Sequence, residues 1–92
     1  MSVYLLAFPQ ANQPTLDNIA AGIPKVPAFQ GFVYVGPGLY LVTTDTYNAN
    51  DIKHLFISTP GVVVLRLQGE WSTGQGTPPQ TPKFLKSAQG AF

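Results

Sequence analysis

An α+β sandwich is the fold class that this sequence predicts, and three observations predict it. Patterned segments follow one another as strand, helix, strand, strand, helix, strand within the first 70 or so residues, the periods switching between two and about 3.6. The two middle strands are separated by a turn short enough to make them an antiparallel hairpin. Ninety-two residues suffice for one domain, able to bury roughly 60–65% of its extended surface without staples. Together these describe a ferredoxin-like β-α-β-β-α-β sandwich, a four-stranded antiparallel sheet with two helices on one face. The expected layout is a ferredoxin-like domain over 1–73 and a Gly/Pro-rich arm over 74–92, carrying a short extra strand or docking segment.

Each element has its own signal. Val3 to Phe8 is a continuous apolar run, as a central strand requires, and Pro9 ends it. Pro14 suits the first turn of a helix, and Leu16, Ile19, Ala20 and Ile23 follow at helical spacing until Gly22 and Pro24 stop the pattern. Gly31–Val35 and Leu39–Thr44 are rich in aromatic and β-branched residues, with Gly36-Pro37-Gly38 as the turn. Asn48 and Asp51 predict a capping box for the second helix, whose stripe is Ile52, Leu55 and Phe56 before Ser58-Thr59-Pro60-Gly61 breaks it. Val62–Gln68 is the fourth strand, with Val63, Leu65 and Leu67 expected toward the helices. That assignment leaves Val62, Val64 and one of Tyr40 and Leu41 on an open sheet face. Past Gly69 the composition is that of a loop, with Glu70–Thr73 a candidate fifth strand. Lys83-Phe84-Leu85-Lys86 reads as one helical turn or an extended arm, docking on its own sheet or on a second subunit.

Composition narrows the function. There is no cysteine, which excludes disulfides, thiolate metal sites and a cysteine nucleophile. Five basic and four acidic residues sum to +1, far fewer charges than the roughly one quarter typical of soluble domains. Lys25, Lys53, Arg66, Lys83 and Lys86 are scattered, whereas tracking a phosphate backbone calls for a basic stripe. Met1-Ser2-Val3 lacks a basic leader and the first apolar run is too short for a membrane span, so the expectation is a soluble, cytoplasmic protein.

Candidate catalytic groups are sparse. His54, the one histidine, lies outside the second helix's stripe, with Asp51 one turn earlier as either its orienting acid or a cap. Asp45 and Glu70 lie near strand ends without metal-ligand spacing. Gly36-Pro37-Gly38 lacks the spacing of a phosphate-binding loop. Tyr4, Phe8, Phe32, Tyr34 and Tyr40 fall on strands, where aromatics either stack nucleobases or fill a core. The absence of interleaved Lys and Arg on the first and third strands favours packing.

Tyr4-Leu5-Leu6-Ala7-Phe8, the stretch Gly38–Asp45 running into Asn48–Ile52, and Val63–Glu70 together resemble the small stand-alone ferredoxin-like proteins related to the minor subunit of the CRISPR adaptation integrase. The resemblance implies symmetric dimers formed through the sheet and C-terminal segments, here the fourth strand and Gly69–Thr73. It also implies, for some members, a metal-dependent nuclease with an aspartate ending the first strand. Pro9 and Gln10 occupy that position here, and neither holds a divalent cation as a carboxylate does.

The expectation is therefore a non-catalytic homodimeric protein-binding module without metal or cofactor. Its role would be that of a phage or mobile-element protein that blocks or joins a larger, defence-type complex. The interface would involve Tyr40, Val62, Val64, Arg66, Trp71, Phe84 and Leu85, with Trp71 as its anchor. The alternative is a nucleic-acid-binding protein or a degenerate nuclease of the same fold.

Overall fold

A computed structural model of the chain describes residues 2–68, 72–74 and 77–88. The apolar run at the start forms β1 (Ser2–Ala7), which lies inside a four-stranded sheet ordered β2-β3-β1-β4. The other strands are β2 (Gly31–Gly36), β3 (Leu39–Thr44) and β4 (Val63–Leu67). Every neighbouring pair is antiparallel, with Leu5 opposite both Leu41 and Leu65. The order and the two helices on one face make this an α+β sandwich of ferredoxin-like type. The hairpin closes through Gly38 at φ 72°, a conformation that a Cβ disfavours. A Cβ there would also sit 3.1 Å from the Phe8 carbonyl oxygen, the turn being tied to β1 by the Phe8 amide donating to the Gly38 carbonyl at 2.8 Å.

Both helices begin where side chains can satisfy their free amides. In α1 (Gln13–Gly22) the Asn12 side chain accepts from the Thr15 amide at 3.0 Å, and Pro14 occupies the first turn. In α2 (Ala49–Leu55) the capping box closes in both directions: the Asp51 amide donates to Asn48 Oδ1 at 2.8 Å and the Asn48 amide to Asp51 Oδ2 at 3.1 Å. Ile19, Ile23 and Ile52 then pack on Tyr4, Leu6, Phe8, Tyr40 and Val42, forming the larger half of the core. Ile23 belongs to a short 3-10 turn, Ile23–Lys25, that continues α1. Leu55, expected in the α2 stripe, is instead 42% exposed. With Ile52 aimed at the sheet, Phe56 follows about 40° round the axis and Leu55 lies about 60° to the other side, where it borders an open groove against Thr15, Asn18, Ile19 and Gly22 of α1.

The second face of the sheet is not left open as the sequence suggested. A third helix, α3 (Gln80–Ser87), lies against it along β2. Leu85 and Ala88 close a second core with Val3, Val33 and Leu41, flanked by Phe84, Leu5, Val35 and Leu67. Phe84 can approach because position 31 has no side chain: a Cβ on Gly31 would stand 3.3 Å from its ring. Of the two dockings open to Phe84 and Leu85, the chain uses its own sheet, and the segment is a helix of two turns rather than one. Pro79 gives α3 no side-chain cap, and the Thr81 hydroxyl is buried without a partner. A helix this short is marginal alone, so side-chain packing holds it in place.

The facing of β4 is also the reverse of that expected. Val64 is opposite Leu6 and Arg66 opposite Tyr4, and directly opposed residues share a face. Val62, Val64 and Arg66 thus point to the helix side, where Val62 and Val64 pack on the core. Val63, Leu65 and Leu67 face the other way. Alternation could not decide this, because the strand is apolar on both sides. Arg66 is tolerated on the helix side because β4 is an edge strand and its side chain remains exposed. Tyr40, expected with Leu41 as a choice for the open face, is buried beneath the helices, while Leu41 is buried beneath α3.

Two substitutions test this packing by urea denaturation. Leu85→Ala removes the centre of the second core and should cost about 2–4 kcal/mol. Asn48→Ala breaks the capping box and should cost about 1 kcal/mol.

Candidate functional site

The β2–β3 hairpin extends beyond the reach of α1, and the difference leaves a cleft. Phe32 and Tyr34 are on the helix side of β2, opposite Val42 and Tyr40. They remain 47% and 46% exposed, whereas Tyr40, one strand further in, is 5% exposed. The cleft holds about 560 Å³ between the hairpin and α1, walled by Leu16, Ala20, Phe32, Tyr34 and Tyr40, with Gln13 and Asp17 at one side and Gln80 of α3 at another. Tyr34 and Tyr40 meet edge to face, centroids 5.6 Å apart and planes at 67°. Tyr40 also contacts Phe8, which in turn contacts Phe56, so the inner wall is braced by the core.

Polar groups in the cleft are few. Gln13 Nε2 donates to Asp17 Oδ1 at 2.9 Å, anchoring one carboxylate oxygen of an exposed side chain. Burial above all, then the charges of Tyr34 and Asp17, hold the Tyr40 phenol above the ordinary tyrosine value of 10.0. Among the described residues, no lysine, arginine or histidine lines the cleft.

A second surface lies at the opposite edge of the sheet. Val63 and Leu65 are 43% and 53% exposed on the α3 side of β4, in line with half-buried Leu5 and Leu67. Helix α3 lies along β2 and leaves this strip bare.

The residues singled out from the sequence are dispersed. Tyr40 lines the cleft, Val62 and Val64 support α2's face of the core, Arg66 is exposed at the β4 edge, and Phe84 and Leu85 hold α3. Trp71 and Glu70 lie outside the described residues, as do Gly69 and the terminal Phe92. His54 is exposed, and its Nδ1 donates to the Asn50 carbonyl at 2.8 Å, the carbonyl being able only to accept. Asp51 is spent on the helix cap. Asp45 accepts from Gln30 Nε2 at 2.6 Å. Among the described residues, no three of His, Asp and Glu gather as a metal site would require. Strand aromatics that stack nucleobases need an uncovered sheet face, but Tyr4, Phe32, Tyr34 and Tyr40 all point to the helix side. No helix among the described residues is long and apolar enough to cross a membrane.

Comparison of the chain with protein-family models, with curated proteins and with solved structures returned no match.

The phenol at the cleft's inner wall gives a pH signature. Because folding raises the Tyr40 pKa, its contribution to stability is complete below the unfolded value near 10 and is lost as pH rises through its own higher pKa. Phenolate absorbance should show a late titration step that disappears in Tyr40→Phe and moves to lower pH in Asp17→Asn.

Proposed function

We propose that this chain is a non-catalytic protein-binding module that pairs with a second copy of itself along β4. The observation that carries this is the exposed row of Val63 and Leu65 on an edge strand with no proline, no bulge and a single charge. Such an edge offers unpaired backbone donors and acceptors to another strand. A two-fold axis through Leu65 places Leu65 opposite its own copy, Val63 opposite Leu67, and Val64 opposite Arg66, so that no like charges meet. One face of the joint then carries six aliphatic side chains in a row, continuing onto Leu5 of both copies. The pair is smaller than the broad sheet-to-sheet contact that an open face would have provided, because α3 occupies much of that face.

The resemblance to proteins related to the integrase minor subunit supports a homodimer of this general kind. The same resemblance underlies our proposal that the dimer is a phage or mobile-element product acting on a larger defence-type complex. The nucleic-acid alternative has no observation in its favour: the lysines are dispersed and the aromatics turn away from the free sheet face.

Light scattering on the full chain at on the order of 100 μM should give the mass of a dimer, within the range expected for a modest interface. Leu65→Lys should give a monomer with unchanged far-ultraviolet circular dichroism, since the site is exposed. A monomeric parent protein at that concentration would sink the reading.

A further inference from the structure

We propose that the cleft between α1 and β2 binds a methylated ammonium group, with Phe32 and Tyr34 as aromatic walls, Tyr40 bracing them at the cleft's base, and Asp17 as the counter-ion. This site is independent of the β4 pairing and lies at the other edge of the sheet.

A volume of about 560 Å³ falls within the range of small-ligand sites, roughly 300–1,000 Å³. It admits an ammonium head with part of the chain that bears it. Tyr34 and Tyr40 meet edge to face at 67°, so buried Tyr40 braces Tyr34 from behind, and the accessible ring surface comes from Tyr34 and from Phe32, which extends the wall along β2. Aromatic faces carry a negative quadrupole that attracts a cation within about 6 Å of the ring centre.

Asp17 has one oxygen anchored by Gln13, and no Lys or Arg among the described residues pairs with it. Among the described residues the cleft has no basic side chain, which makes it a poor site for a phosphate or carboxylate and a good one for a cation. A carboxylate beside aromatic rings also separates this cleft from a purely apolar groove, which would take a neutral hydrocarbon equally well.

Solvation selects the kind of cation. A bare ammonium holds its water tightly, and the cleft offers one carboxylate and few other acceptors to replace that water. Methyl groups on nitrogen spread the charge, weaken hydration and present apolar surface to Leu16 and Ala20. The free choline type of head and a trimethyllysine side chain share this chemistry.

Titration of the full-length, isotopically labelled protein, followed by amide resonances, tests the assignment with four probes. These are tetramethylammonium, choline, a trimethyllysine peptide, and 3,3-dimethylbutanol, the neutral isostere of choline. The ammonium probes should shift resonances of α1 and β2 with millimolar affinity, and the neutral isostere should bind about tenfold more weakly or worse. Phe32→Leu and Asp17→Asn, both at exposed positions, should each weaken choline several-fold while leaving the spectrum elsewhere unchanged. Tighter binding of the peptide than of choline identifies a modified protein as the source, and the reverse identifies a small molecule. The proposal is overturned by equal affinity for choline and its neutral isostere, by binding indifferent to Asp17→Asn, or by no shift with any ammonium at about 50 mM, a limit weaker than any functional site of this kind. Leu65→Lys should leave choline binding intact, which keeps this test separate from that of the dimer.

Discussion

The molecule depends on β1 being apolar on both sides while lying inside the sheet. Tyr4 and Leu6 point one way and Val3 and Leu5 the other, and β3 and β4 hydrogen-bond to both its edges. A strand in that position must be covered above and below, since each large side chain left in water forgoes roughly 1.5–3 kcal/mol of burial. Two helices suffice for the Tyr4 and Leu6 side. The opposite side demands a third, and α3 supplies it.

That demand explains why a helix with no side-chain cap and an orphaned Thr81 hydroxyl is nevertheless in place. Its Leu85 and Ala88 meet Val3, Val33 and Leu41, the residues that β1, β2 and β3 turn away from α1 and α2. The helix is eight residues long, about 12 Å at 1.5 Å per residue, so it cannot span a twisted four-stranded sheet. Lying over β2, it leaves Val63 and Leu65 of β4 exposed. On the other face α1 sits over β1 and β3 and leaves β2 partly uncovered. Each face is thus short of cover at a different edge, and the exposed aromatics and the exposed aliphatics are found in those two places.

Much of this layout was legible in the residues. Pro14, the capping pair Asn48 and Asp51, and Gly36-Pro37-Gly38 are local signals whose meaning does not depend on the rest of the chain, and they mark the elements well. The need for a third cover was also implicit in Val3–Phe8, since a continuous apolar run has no side to spare for water. What local pattern could not supply was facing and reach. Val62–Leu67 is apolar on both sides, so its facing is set by its register against Tyr4 and Leu6. Phe32 and Tyr34 read as strand aromatics, but their exposure depends on where α1 crosses the sheet, which is a tertiary outcome. The cleft could have been suspected only from the concentration of rings in a hairpin preceded by a short helix.

The placement of the two surfaces has a geometric consequence. Pairing along β4 about an axis normal to the sheet would keep both helix faces on the same side, because antiparallel edge strands related in that way continue a single sheet. The order would run β2-β3-β1-β4 and then back through the second copy to its β2. The clefts would stand at the two outer edges, seven strand spacings apart, or about 34 Å at roughly 4.8 Å each. Neither pairing strand contributes to a cleft, so association would not block either one. Sheet twist of roughly 20–25° per strand would turn the two outer edges well away from each other, so two like sites on one dimer favour a flexible ligand that carries the recognised group more than once, since the second contact becomes intramolecular and millimolar single-site affinities multiply. A weak cleft on a small domain is then no argument against specific recognition, provided the edge that joins the copies is the one that α3 leaves bare.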